Sequence, residues 1–212
     1  MPDLHHVLTF AAAAVVLIVV PGPSVLFIIS RGVSLGRQAA VVTVAGNTLG
    51  VFVQVLAVSA GLGALVARSI ALFTTIKLVG AGYLVYLGVQ AFRHRRRLAE
   101  ALDVPTAPMG LRRVVREGFV VGLSNPKAIV FFAAVLPQFV QPSRGHAGIQ
   151  MAGLGLVFCA IAIVSDGTWA LVSGTAREWL GRKPERLSVI GGAGGLAIIG
   201  LGVRLALTGR KD

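Results

Sequence analysis

The stretch LHHVLTFAAAAVVLIVVPGPSVLFIIS, residues 4–30, contains no Asp, Glu, Lys or Arg. A helix of about 20 apolar residues crosses the hydrocarbon core of a bilayer, so residues 4–30 suffice for one crossing. A barrel strand would alternate apolar and polar positions, whereas Ala11 to Val20 is apolar without interruption. The stretch therefore reads as a spanning helix with Pro21-Gly22-Pro23 set inside it. Asp3, His5 and His6 stand where a signal peptide carries a basic region, and the apolar run exceeds a signal-peptide core. The segment is thus expected to be retained.

The same ruler finds five more charge-poor windows. Gln38 to Ala67 and Leu187 to Val203 carry no formal charge. Ser69 to Phe92 carries only Lys77, Gly118 to Ser143 only Lys127, and Gly145 to Ala176 only Asp166. The 212 residues are 55% hydrophobic and 13% charged, with a mean hydropathy of +0.83. Soluble domains hold about 25% charged residues, and disorder requires low hydrophobicity, so both classes are excluded. The fold class expected is an all-α polytopic membrane protein of one domain, residues 1–212, with six spans.

The net charge of +12 would suggest nucleic-acid binding in a soluble chain. Here it sorts by loop. Thirteen basic residues fall in the connections after spans 1, 3 and 5, from Arg31 and Arg37 through Arg93–Arg116 to Arg177–Arg186, and five fall on the other side. The positive-inside rule places the richer side in the cytoplasm and both termini in the periplasm or cell exterior. The cluster Arg93 to Arg97 then reads as a stop signal touching lipid headgroups, and no nucleic-acid partner is expected. A single cysteine, Cys159, leaves no disulfide or paired-thiol motif. The four histidines sit at ends and loops without metal spacing. No cofactor or metal is expected.

A proline inside a helix removes one backbone hydrogen bond and clashes with the preceding turn. The carbonyls it frees cannot face lipid and must face protein or water. Pro21-Gly22-Pro23 breaks span 1, and Asn125-Pro126-Lys127 breaks span 4. Each is the first span of a group of three. Repeat one covers about 4–92, a cytoplasmic loop about 93–116, and repeat two about 117–208. Three is odd, so the repeats point in opposite directions. Inverted repeats with matched broken helices are how secondary transporters build a midplane site.

Lys127 and Asp166 are costly at membrane depth unless paired or functional. They read either as a mutual ion pair or as sites for a substrate carboxylate and for an ammonium or coupling proton. Lys77 reads as reaching the outer interface. Asn47, Thr48 and Gln54 in span 2 hydrogen-bond between helices or line a pathway. Gly46 and Gly50 have the spacing of close helix packing. An enzyme is disfavoured, because the spans hold one aspartate and no histidine beyond the chain's first turn. A channel or a non-transporting scaffold is the alternative to a carrier.

In order and spacing these motifs resemble the LysE/RhtB family of amino-acid exporters. The markers are Pro21-Gly22-Pro23, Arg31-Gly32 with Gly36-Arg37, Gly46 to Gly50, and the run Lys77 to Gly88. Gly118 to Gly122, Asn125-Pro126-Lys127-Ala128, Leu136 to Val140 and Asp166 complete the set. The resemblance covers nearly the whole chain. It implies a multi-pass inner-membrane exporter of amino acids or close derivatives, driven by protons. The mechanism expected from the matched breaks is alternating access, with the two halves rocking about a site between the breaks of spans 1 and 4. The site residues the resemblance carries over are Pro21, Gly22, Pro23, Asn125, Pro126, Lys127 and Asp166, with Asn47 added from the polar face of span 2. The partners expected are an amino-acid substrate, a proton and membrane lipid. A homo-oligomer is as compatible as a monomer. The lack of a second span carboxylate points to a neutral zwitterion.

Overall fold

The computed structural model describes residues 2–66, 70–93, 110–173 and 184–207, and all of these are helical or connecting, with no strand among them. The arginine cluster beyond Arg93, the loop to Pro108, Arg68, Arg177, Arg182, Lys183 and the C-terminal basic pair lie outside the described residues.

Eight α-helices are described: α1 Leu4–Val19, α2 Pro23–Leu35, α3 Arg37–Val66, α4 Ile70–Arg93, α5 Leu111–Leu123, α6 Pro126–Val135, α7 Ala147–Leu171 and α8 Pro184–Leu207. Proline decides two of the boundaries. Pro23 and Pro126 each stand at the first position of a helix, where the missing N–H costs nothing because that group has no helical partner. Asp3 and Asn125 cap α1 and α6 with their side chains, as short polar residues do.

Two stretches are long and apolar enough to cross a membrane unbroken, Arg37–Gly61 in α3 and all of α7. Two more qualify only as bent pairs. Leu4–Val19 with Pro23–Gly32 turns by 56°, and Leu111–Leu123 with Pro126–Phe139 turns by 45°. In α4 and α8 the residues described continuously run Leu78–Gln90 and Gly195–Leu207, both apolar. By length and composition up to four crossings are met among the described residues, against the six counted from charge alone.

The bent pairs run antiparallel. The Asp3 backbone N–H at the start of α1 donates to Gln141 Oε1, just beyond the second pair, at 2.9 Å. At the opposite end Arg31 of α2 bridges to Glu117 of α5 at 2.7 Å. Between these ends lies an apolar core that includes Phe10, Phe131, Phe132 and Phe158. The rings of Phe132 and Phe158 meet edge to face at 4.8 Å, a geometry that aromatic quadrupoles favour.

Glycine sets two of the helix crossings. A Cβ on Gly50 would run into the Phe119 carbonyl, and one on Gly122 into the Asn47 carbonyl; Gly46 and Gly118 repeat the arrangement one turn away. Thus α3 and α5 touch backbone to backbone. Gly88 and Gly195 do the same for α4 and α8. Lipid offers no hydrophobic drive between helices, so such close packing holds them.

Candidate functional site

The first break leaves carbonyls without donors. In a continuous helix Leu17 would receive the N–H of residue 21, which as proline has none. The chain leaves the helix at Val20 and continues extended through Gly22. Lys127 Nζ donates to the Leu17 carbonyl at 2.6 Å and to the Val20 carbonyl at 2.9 Å. An ammonium therefore sits at the C-terminal end of α1, where the helix dipole is negative.

The second break is closed by side chains. The Lys127 N–H would reach the Leu123 carbonyl in a continuous helix; it donates instead to Asn125 Oδ1 at 3.1 Å. The abandoned Leu123 carbonyl accepts from Gln54 Nε2 of α3 at 2.6 Å, and the Asn125 carbonyl accepts from the same amide at 3.3 Å. Asn125 Nδ2 reaches back to the first break and donates to Ser24 Oγ at 2.9 Å. Three hydrogen bonds thus join the two breaks: two from Lys127 and one from Asn125.

Beside them, α7 presents Asp166, only 5% exposed. Asn47 Nδ2 of α3 lies 3.5 Å from Asp166 Oδ2, long for a bond to a carboxylate, which is ordinarily about 2.7–2.9 Å. Asn47 Oδ1, Thr48 Oγ1 and Gln54 Oε1 are buried without a hydrogen-bond partner. Orphaned buried polar atoms are rare in native folds and mark places where a ligand, ion or water completes the set. Of these, Asn47 lies beside the Asp166 carboxylate and Gln54 beside the second break.

Of the two readings of Lys127 and Asp166, the direct ion pair is not formed: the Lys127 ammonium is bonded to the Leu17 and Val20 carbonyls. The lysine is turned toward the α1 carbonyls, because the proline break supplies two strong acceptors within its reach. Nor does Lys127 extend outward to an interface. Pro21, Gly22, Pro23, Asn125, Pro126 and Lys127 come together, while Asn47 and Asp166 form a second group packed alongside. A Cβ on Gly22 would stand 3.5 Å from Lys127 Nζ, an ordinary contact, so Gly22 matters here as an extended link more than as a space-saver. Gln54 makes the interhelical hydrogen bonds expected of it, and Ser24 is a further member that was not foreseen. Their signal was polarity inside a span, but only the register of helices from different halves shows that they face the breaks. Among the described residues no group of three or more His, Cys, Asp or Glu gathers to hold a metal.

A family model for LysE type translocators matches residues 15–209. An uncharacterized membrane protein of Vibrio cholerae is 35% identical, covering 96% of this chain and 98% of its own length. The homoserine/homoserine lactone efflux protein of Salmonella typhimurium is 30% identical over 88% of each chain. The leucine efflux protein of Salmonella choleraesuis is 25% identical over 93% of each. No solved structure matches. With membrane proteins as relatives and helices of spanning length and composition, the chain is a multi-pass membrane protein.

Proposed function

Because the chain belongs to the LysE type translocator family, we propose that it is a secondary transporter exporting amino acids or close derivatives across the inner membrane. Export is coupled to protons and proceeds by alternating access. The six spans form two inverted three-helix repeats, with both termini on the periplasmic or outer side. The observation that carries this reading is the meeting of two proline breaks, joined by Lys127 and Asn125, beside buried Asp166.

The chemistry suits a zwitterion. Half-helix N-termini such as those of α2 and α6 favour a carboxylate, and Lys127 adds a full positive charge. Asp166 with the Asn47 amide beside it favours an ammonium or a proton. A substrate carboxylate competes with the Leu17 and Val20 carbonyls for Lys127, so binding loosens the contact between the breaks. Substrate occupancy is thereby linked to movement of α1 against α6. One carboxylate at the site, not two, favours a neutral amino acid over a dicationic one. The homoserine and leucine named in relatives are both of that class.

The test is efflux from cells loaded with labelled homoserine or leucine, with and without an uncoupler. The expected result is substrate-dependent efflux that the uncoupler abolishes. Efflux of neither compound, or efflux indifferent to the gradient, overturns the proposal.

A further inference from the structure

We propose that the Arg31–Glu117 ion pair is a releasable latch that closes one end of the path between the two broken spans. The pair joins the far half of the first broken span, α2, to the near half of the second, α5, at 2.7 Å. At the other end of the same two spans a different tie is made. There Asp3 and Gln141 exchange hydrogen bonds, backbone N–H to Oε1 at 2.9 Å and Nε2 to Oδ2 at 2.7 Å. The breaks and Asp166 lie between. Both ends are therefore tied in this conformation, and access to the middle from either side requires one tie to part.

What makes the Arg31–Glu117 pair a latch and not a fixed strut is that each charge has a second partner on its own helix. Glu117 also holds Arg113 of α5, Oε1 to Nε at 2.9 Å, one helical turn away. The Arg31 guanidinium lies 4.6 Å from the centre of the Phe27 ring, one turn back on α2. A largely buried carboxylate or guanidinium left without a partner is costly. When α2 and α5 separate, the carboxylate keeps its ion pair with Arg113 and the guanidinium keeps its cation–π contact. Neither charge is stranded, so the barrier to parting is low for a pair in which the arginine is only 8% exposed. A strut would need no such reserve.

The latch rests on the transport reading for its purpose, but its test uses no substrate. Cys159→Ser removes the native thiol, and Ser24→Cys places a reporter at the breaks. A membrane-impermeant maleimide is then applied to each face of sealed vesicles in separate experiments. A separate Arg112→Cys protein, exposed at the start of α5, identifies the face at which the Arg31 end lies. Glu117→Gln is expected to speed labelling of the reporter from that face about tenfold, the size of a modest two-state bias, and to leave labelling from the opposite face unchanged. No acceleration, or equal acceleration from both faces, overturns the latch. If Glu117→Gln does not yield folded protein, Arg31→Lys decides by the same readout, since it keeps the charge and loses the planar fork. Selective labelling together with no efflux of any amino acid would uphold the latch and overturn the transport reading.

Discussion

The Lys127 ammonium stands where Pro21 has removed a donor: Nζ donates at 2.6 Å to the carbonyl of Leu17, four residues before the proline. One side chain of the second broken span thus completes the hydrogen bonding of the first. Lys127→Met, similar in length and without charge, leaves the Leu17 and Val20 carbonyls buried and unmet, at about 1–3 kcal/mol each. The expected outcome is a clear fall in melting temperature in detergent and loss of efflux. Lys127→Arg is expected to retain most of the stability, because the charge and several donors remain.

Asp166 is the buried carboxylate beside that contact. Asp166→Asn keeps size and hydrogen bonding but cannot take up and release a proton in the physiological range. Gradient-driven efflux is expected to fall at least about tenfold, equivalent to ~1.4 kcal/mol, while downhill exchange of substrate survives. Efflux that stays intact and sensitive to uncoupler would remove Asp166 from the coupling role. Efflux that stays intact and insensitive would favour a channel.

Asn125 has two duties, capping α6 and holding Ser24. Asn125→Ala loses both, with a cap alone worth about 1 kcal/mol. Asn125→Asp keeps the cap and is expected to be the more stable of the two in thermal unfolding. It is also expected to transport poorly, because it places a negative charge beside the substrate carboxylate.

The glycine seam predicts a contrast. Gly50→Ala must push α5 away from α3, an overpacking change of about 1–3 kcal/mol. Gly82→Ala meets open space and, in a helix interior, is expected to be neutral or slightly stabilising. Melting temperatures of the two purified variants decide the matter.

At the start of α1 the Asp3 carboxyl is held well below the usual carboxylate range by the His6 backbone N–H, then by the His6 and Gln141 side chains. Its folded-state value lies below the unfolded one, so its contribution is complete above about pH 4 and is lost only as pH falls toward the folded value. The stability difference between the parent and Asp3→Ala is expected to be constant from neutral pH to about pH 4 and to shrink below it.

Much of the site was legible in the chain because helix breakers and charges are conspicuous in an apolar background. The breaks at Pro21 and Pro126, the buried Asp166 and the glycine spacing all follow from residue type. The partners do not. Lys127 and Asp166 were the natural pair by charge, yet the lysine faces α1, because helix rotation decides which acceptor it reaches. Gln54 and Ser24 matter only by lying level with breaks in another span, which spacing within one span cannot reveal. Arg31 counted as a connection charge, and only the antiparallel packing of the bent pairs brings it to Glu117. The idea of two rocking halves also meets a difficulty, since the tightest seams cross between the halves.

Those seams, α3 against α5 and α4 against α8, have a consequence for biosynthesis. Helices α3 and α4 precede their seam partners α5 and α8 in the chain and are synthesised first. Until α5 and α8 arrive, the glycine faces of α3 and α4 are covered only by lipid and the acceptors Asn47 and Gln54 lack their neighbours. A chain truncated after α4 therefore leaves these glycine faces without the helices that cover them.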